Sequence, residues 1–336
     1  MIKIAVIGLG NFGKLHANNF LNMRGVDLYA VCDSDKSKLD AFEKEEIEKY
    51  TDYKEILQKS NIQAVDIVVN EKSHYALVKE ALTAGKHVIV EKPLAVSSKE
   101  AEELLMLSKT SGLLLMVGHT LRFDNRYAQI KQEIETGTFG EIVSFYARRN
   151  YKPSTFEKYS EVHPFLSSTI HDIDLFNWLI GGKVVKIHAR QSFFLRRMMP
   201  DATWAMLVLD TGAVGFFENV SHLPENSPFK NDYEVEIIGT NETAFVRHFP
   251  DIEIWSNSQM SYFDFHMEAH INDNLSGALR SELEYFAGCI EKNEQPNRIP
   301  PEEAVEAVKI AEAMIDSANK GFSINCDFLS GKKETF

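Results

Sequence analysis

The sequence predicts an α/β protein of two domains: a doubly wound parallel sheet over 1–121, then an α+β domain with a largely antiparallel open sheet over 122–336. Three observations predict it. Short apolar runs alternate with helical patterns over the first third of the chain, the pattern of a parallel sheet covered by helices on both faces. A glycine-rich turn, "GLGNFG" (8–13), follows the first apolar run at once. Beyond about residue 121 paired strands joined by tight turns replace that alternation, which points to hairpins. A chain of 336 residues is also longer than one ordinary core supports.

The elements follow in order. Residues 2–7 read as a strand and 12–23 as the helix after it. "VDLYAVCD" (26–33) and "AVDIVV" (64–69) are strands two and three. "HYALVKEALTAG" (74–85) is an amphipathic helix stopped by Gly85. "HVIVE" (87–91) is a strand that ends abruptly in Glu91, Lys92 and Pro93. "SSKEAEELLMLSKTSG" (97–112) opens on a serine cap and closes on glycine, and "LLLMVG" (113–118) is the next strand. After it come a helix over 123–137, a strand over 141–150 and a helix over 168–180. Residues 203–220 form a hairpin turning at 210–212, and 233–249 form another turning at 239–241. In the first hairpin Trp204, Met206 and Val208 make one apolar face, with Leu207 and Leu209 on the other. Such a strand needs cover on both sides, and a second copy of the chain suits one of them. Two helices close the chain, with stripes at Leu279, Leu283, Phe286, Ile290 and at Ala304, Val308, Ala311, Ile315.

Composition narrows the function. The chain is 44% hydrophobic and 25% charged, as soluble domains are. Its net charge is 36 − 49 = −13, which argues against general binding of nucleic acid or anionic membrane. Cys32, Cys289 and Cys326 are odd in number and widely spaced, so reduced thiols and a cytoplasmic location are expected. No apolar run is long enough to span a bilayer.

The turn at 8–13 carries the first functional reading. Gly8-x-Gly10-x-x-Gly13 follows a strand and opens a helix, and Asp33 ends the next strand twenty positions after Gly13. Alone the pattern is weak; in this context it reads as a dinucleotide-binding loop. Gly8 permits the tight turn, Gly10 lets backbone approach a pyrophosphate, and Gly13 lets helix and strand pack closely. Asn11 and Phe12 lie within the loop, and the helix start presents free N–H groups to phosphate. Asp33 accepts ribose hydroxyls and repels a 2′-phosphate, which favours NAD over NADP. Ser34, Lys36 and Lys38 lie just beyond and soften that repulsion.

With these residues in view the chain resembles the Gfo/Idh/MocA family of NAD(P)-dependent oxidoreductases over nearly its whole length. "GLGNFGKLHA" (8–17) is similar to the family's glycine loop, with the following histidine at His16. "ALTAGKHVIVEKPLA" (81–95) resembles its most specific signature, a strand ending in Glu-Lys-Pro. "VGHTLRF" (117–123) resembles the interdomain segment, and "IHDIDLFNWLIGG" (170–182) the His-x-x-Asp helix. The resemblance implies a Rossmann domain that binds the cofactor and a sheet domain that supplies the substrate pocket and often the oligomer interface. It implies hydride transfer between nicotinamide and the hydroxyl carbon of a sugar, polyol or related compound. It places Lys92 beside the nicotinamide and the reacting hydroxyl, with His171 as a general acid–base. Read alone, Lys92 is a solvated strand-end charge and His171 an ordinary helix histidine. Glu91 and His74 fall among the implied cofactor contacts, and a homodimer or homotetramer through the C-terminal sheet is expected.

The sequence departs from the family pattern in two places. Many members carry an aspartate four residues before the histidine; here that position is Ser167. Three readings follow: Lys92 and His171 suffice, or Asp172, Asp174 or Glu91 compensates electrostatically, or the chemistry is altered or lost. Loss would leave an NAD(P)-binding sensor, and a redox-neutral enzyme with tightly held NAD is a further alternative. "VVNEKSH" (68–74) also lacks the usual Thr-Pro, though it keeps His74. Arg122, Arg149, Ser167 and Asp174 are weaker candidates for substrate contact. His266, Glu268 and His270 lack an evident third ligand in the right pattern, and no metal is expected.

Overall fold

The structure is a computed structural model of the chain. It describes residues 1–326 apart from 45, 157–160, 196, 228, 230, 248–251, 256–259, 264–268 and 272–273. Two compact units result: Met1–Asp124 with Phe265–Val305, and Asn125–Asp264 with Glu306–Phe336.

In the first unit six strands form one sheet: β1 (Ile2–Ile7), β2 (Val26–Cys32), β3 (Glu48–Tyr50), β4 (Ala64–Ile67), β5 (His87–Glu91) and β6 (Leu115–Gly118). Their order is β3-β2-β1-β4-β5-β6 and every pairing is parallel. This is the doubly wound Rossmann sheet that the alternating pattern predicts. Helices α1 (Asn11–Leu21), α2 (Lys36–Asp40), α3 (Tyr53–Leu57), α4 (His74–Thr83) and α5 (Ser98–Ser111) connect the strands. Ile4, Ala5, Val6, Val65, Val88 and Val90 are fully buried, so apolar strand runs meet cover on both faces. The chain order reverses between β1 and β4, and ligands of such sheets bind beyond the carboxyl ends of the strands there.

The second unit holds α6 (Asn125–Glu135), β7 (Ile142–Tyr151), α7 (Pro153–Phe156), α8 (Pro164–Ser167), α9 (Ile170–Ile180), β8 (Val184–Ser192), β9 (Ala202–Leu209), β10 (Val214–Val220), β11 (Asn231–Gly239), β12 (Thr243–Arg247), and a hairpin of β13 (Ile252–Trp255) and β14 (Met260–Phe263). After it come β15 (Ala269–Ile271), β16 (Asn274–Ser276), α10 (Ala278–Lys292), α11 (Pro301–Lys320) and β17 (Ile324–Asn325). The main sheet runs β12-β11-β7-β10-β9-β8-β17 and is antiparallel except for the β7–β10 pair. Both predicted hairpins form, β9–β10 and β11–β12. One sheet face is closed by α9, where Phe176 meets Phe145 and Phe217 at ring distances of 5.4 and 5.6 Å. A Cβ on Gly215 would lie 2.8 Å from the Phe176 ring, so glycine makes that approach possible. The other face leaves Trp204, Phe216 and Phe245 at 36, 43 and 55% exposure.

Residues 265–305 group with the first unit. There Leu279, Leu283 and Phe286 of α10 share a core with Ile4, Leu28 and Phe20. Arg280 fixes the contact by donating to the carbonyls of Asn19 and Asn22. A helical stripe states that a face is buried; it does not state against what. His266 and Glu268 lie outside the described residues. Among the described residues, no helix is long and apolar enough to cross a membrane.

Candidate active site

The three loop glycines answer to three different constraints. Gly8 has φ +103°, and a Cβ there would lie 2.1 Å from the Val68 carbonyl oxygen. On Gly13 a Cβ would lie 1.9 Å from the Gly8 oxygen. Gly10 has nothing within 4 Å of its Cβ position. Two glycines are therefore demanded by the protein's own packing, while the third opens onto free space at the start of α1. No side chain caps that helix start, so its N–H groups and dipole are available to a phosphate.

Asp33 lies beside this loop at the end of β2. Its Oδ2 accepts the Leu9 N–H at 2.8 Å and its Oδ1 accepts the Asp35 N–H at 2.9 Å. Two backbone donors thus fix the carboxylate's plane. Lys38 approaches both oxygens, at 3.3 and 3.2 Å. The neighbouring Cys32 thiol is pushed up to about 12 by burial, with Asp33 adding to it, so it is inert as a nucleophile. All three cysteines are buried free thiols.

The tip of β5 is held from several sides. The Lys92–Pro93 bond is cis. His74 is fully buried, with Nδ1 2.7 Å from the Pro93 oxygen and Nε2 3.2 Å from the Val69 oxygen. Burial keeps its pKa below the ordinary histidine value despite those carbonyls, so the ring is neutral and its one N–H is assigned to the shorter contact. Glu91 is buried, and its Oε2 accepts the Lys92 backbone N–H at 3.3 Å. Its Oε1 lies 3.6 Å from His16 Nε2. The other nitrogen of His16 meets Asp66 Oδ2 at 2.7 Å.

In the second unit His171 stands on the first turn of α9. Burial works against the charge of Arg149, but Asp172 more than offsets it, and the guanidinium pKa lies well above its ordinary value. Arg149 Nε and Nη2 donate to the two Asp172 oxygens at 2.8 and 2.9 Å. The guanidinium also lies over the Tyr233 ring, 4.6 Å from its centre. The turn before α9 is tied down by Ser168, whose Oγ meets Tyr151 Oη at 2.7 Å and accepts from Asn219 at 2.8 Å. Ser167 is buried, and its Oγ donates to the His163 carbonyl at 3.4 Å.

Two family profiles match consecutive parts of the chain. Residues 2–119 match "Oxidoreductase family, NAD-binding Rossmann fold", and residues 127–245 match "GFO/IDH/MocA C-terminal domain". The chain belongs to the Gfo/Idh/MocA family. It is an NAD(P)-dependent oxidoreductase acting on CH–OH groups. Among relatives of this Gfo/Idh/MocA member is the scyllo-inositol 2-dehydrogenase (NAD(+)) of Bacillus subtilis, 28% identical over 97% of this chain and 96% of that one. The myo-inositol 2-dehydrogenase of Thermotoga maritima is 27% identical over 88% and 90%. The fold is shared with a crystal structure of myo-inositol 2-dehydrogenase from Lactobacillus plantarum, at TM-score 0.84 and 24% identity over 96% of this chain and 99% of that one. A scyllo-inositol dehydrogenase from Lactobacillus casei, solved with NAD(H) and scyllo-inositol, aligns with TM-score 0.81 and 24% identity over 97% and 99%.

Within the Rossmann unit of this family member, Gly8, Gly10, Gly13, Asp33 and Lys92 all fall at the carboxyl ends of β1, β2 and β5, along one edge of the sheet. The arrangement fits a bound dinucleotide, with an open Gly10 and a fixed Asp33. Other candidates are occupied within their own units. His74 braces the β5 tip through backbone carbonyls. Arg122 is buried and donates Nη1 to the Arg298 carbonyl at 3.0 Å and to Glu303 at 2.6 Å. Arg149 is committed to Asp172. Asp174 is buried in α9. Sequence reasoning missed Asp66, although an aspartate inside "AVDIVV" was a visible signal: a carboxylate in the middle of a buried strand needs a partner.

Proposed function

We propose that the protein is an NAD-dependent dehydrogenase of a cyclic polyol of the inositol class. The observation that carries this reading is the lysine at the carboxyl end of β5, on the same sheet edge as the glycine loop and Asp33. The inositol dehydrogenases matched over most of the chain supply the substrate class.

In this reading the loop 8–13 holds the pyrophosphate on backbone N–H groups, with Asn11 and Phe12 at the start of α1. Asp33 accepts the ribose hydroxyls and disfavours a 2′-phosphate, so NAD is preferred over NADP. Bound NAD supplies the nicotinamide carbon that accepts the hydride. Lys92 takes the proton of the reacting hydroxyl and holds its oxygen by a charge-assisted hydrogen bond. His171, on the first turn of α9, is the second candidate acid–base group. Ser167 does not titrate near neutral pH, and Asp172 is paired with Arg149, so neither serves as the base. Glu91 remains beside Lys92 as the carboxylate that balances it. Arg149 holds the start of α9 through Asp172, Arg122 is bound within the first unit by Arg298 and Glu303, and Asp174 and Ser167 are weaker candidates for substrate contact.

A second copy of the chain covers the outer face of the β12-to-β17 sheet, where Trp204, Phe216 and Phe245 stand exposed. Light scattering of the wild type and of Phe216→Asp tests this: a dimer or tetramer is expected, with dissociation in the variant. The protein is placed in the cytoplasm, where its three thiols stay reduced.

The experiment for the reaction is NADH formation from myo- and scyllo-inositol at neutral pH. Wild type turns over at least one of them. Lys92→Ala lowers kcat by about 10²- to 10⁴-fold, the usual contribution of a general acid–base group, while NAD affinity stays within a few-fold. Turnover by Lys92→Ala at the wild-type rate refutes the assignment.

A further inference from the structure

Three titratable side chains from three elements meet behind the tip of β5, and none of them touches solvent freely. His16 of α1 is 1% exposed, Asp66 of β4 is fully buried, and Glu91 of β5 is 8% exposed. His16 lies between the two carboxylates, 2.7 Å from Asp66 Oδ2 through Nδ1 and 3.6 Å from Glu91 Oε1 through Nε2. Phe12 sets the ring's angle with an edge contact at 4.7 Å. Glu91 reaches in two directions: Oε1 faces His16, and Oε2 accepts the backbone N–H of Lys92. A Cβ on Gly118 of β6 would lie 2.7 Å from Glu91 Oε1, so glycine there leaves the carboxylate its space.

A buried cluster of this kind is a poor stability device. Desolvating three ionisable groups costs several kcal/mol each, and apolar replacements of the same volume are often neutral or stabilising. Its position suggests another use. It joins the helix that opens on the phosphate loop to the strand tip that carries Lys92.

We propose that His16, Asp66 and Glu91 form one positioning unit for Lys92, with an imidazolium held between two carboxylates, and that the net charge of this unit sets the pH at which Lys92 releases its proton. The inference deepens the assignment of Lys92 made above and rests on it for its catalytic meaning. With His16 protonated and both carboxylates ionised the cluster carries a net −1. That charge holds the neighbouring ammonium against deprotonation. The His16 shift agrees with this charge state, while burial works against it at Glu91. Burial opposes the His16 charge, but Asp66 and then Glu91 raise its pKa above the ordinary histidine value. Burial raises the Glu91 carboxyl, with His16 and Lys92 opposing that rise and Asp66 adding to it. Among the described residues of the first unit, Glu91 on its own strand and His74 on α4 act on Lys92, and Glu91 links it to His16 and Asp66. His74 is neutral, so of these the cluster carries the charge.

The proposal predicts shifts of opposite sign from two near-isosteric substitutions. Glu91→Gln removes a negative charge and lowers the pKa of Lys92. His16→Gln removes the positive charge that offsets the carboxylates and raises it. Each shift is about one pH unit. The measurement is an NMR titration of the lysine ε-CH₂ groups in ¹³C-lysine-labelled full-length protein with saturating NAD, with Lys92→Arg assigning the signal. A merely structural role damages kcat in both variants and moves the titration in neither. Should one variant fail to fold, Asp66→Asn substitutes for Glu91→Gln, with a smaller downward shift. Unmoved midpoints, or shifts of the same sign in the histidine and carboxylate variants, overturn the proposal. The titration is read without substrate turnover, so it stands or falls separately from the polyol assignment: loss of that assignment would appear as wild-type turnover in Lys92→Ala.

Discussion

Lys92 and His171 rest on supports of opposite kind. Behind Lys92 is a buried set of titratable groups: a histidine between two carboxylates, with a second histidine bracing the backbone. Beside His171 is a bidentate arginine–aspartate pair stacked on a tyrosine ring. An arginine does not titrate at any physiological pH, so the second support has one charge state and one geometry. The first has several. The contrast teaches that placing a side chain and tuning it are separate tasks. A fixed ion pair anchors a helix turn, whereas a lysine that releases a proton, as proposed for Lys92, gains from neighbours whose own charge responds to pH.

The largest effect expected from breaking this contrast lies at Arg149. Replacing it by alanine leaves Asp172 buried without its partner, a loss of about 3–5 kcal/mol. Chemical denaturation of Arg149→Ala checks this; the guanidinium itself stays charged from pH 6 to pH 8. A double change, Arg149→Met with Asp172→Leu, recovers most of the stability; a double variant as unstable as the single one would mean that the pair's charge itself stabilises the fold. His16 gives the opposite signature. Its folded-state pKa is raised, so its contribution is complete below the unfolded value near 6.5 and fades as pH rises through the folded value. The stability cost of His16→Gln therefore shrinks from pH 6 towards alkaline pH.

A smaller effect separates two glycines that the sequence pattern treats alike. Gly13→Ala puts a Cβ 1.9 Å from the Gly8 oxygen, which displaces backbone and costs about 2–3 kcal/mol of stability. Gly10→Ala meets nothing within 4 Å. Its stability stays within about 1 kcal/mol of wild type, since only the backbone preference of a helix start is altered. Its NAD affinity falls about tenfold or more, because the added methyl occupies the space that a pyrophosphate approaches. Calorimetric titration with NAD alongside thermal unfolding distinguishes the two. Equal losses of binding and stability at both positions would remove the distinction.

Much of the fold was legible because its causes are local. Strand runs buried on both faces, Gly8 at its turn and the hairpin turns at 210–212 and 239–241 are dictated by residues next to each other in the chain. What escaped depends on distant partners. The three-residue β3 is too short for any periodicity. The stripe of α10 announced a buried face, but its cover includes α1 and β1, more than 250 positions away. The site divides along the same line. Gly8, Gly10, Gly13, Asp33 and Lys92 were legible as a motif in context. The roles of His74, Arg122 and Arg149 were not, because a sequence does not say whether a polar side chain faces a ligand or a carbonyl. Asp66 was the overlooked case: the oddity of a carboxylate in an apolar strand was on view, yet its partners lie 50 residues before it and 25 after it.

The smallest effect concerns the other end of the cofactor. Lys38 spans both oxygens of Asp33 at 3.3 and 3.2 Å, and its side chain is 41% exposed. An exposed ion pair of this sort contributes about 0–1 kcal/mol to stability, so Lys38→Ala folds as well as wild type. Asp33 keeps its two backbone donors in that variant, and its orientation towards a ribose is unchanged. NAD affinity therefore stays within about threefold. A 2′-phosphate would meet Asp33 without the compensating ammonium, and its repulsion rises by an amount that surface screening limits to about tenfold in affinity. The ratio of NADP to NAD dissociation constants should rise by about that factor at low salt and fall more steeply with added salt than in wild type. An unchanged ratio would mean that Lys38 serves Asp33 alone, and that discrimination between the cofactors is settled by the carboxylate and its two backbone donors.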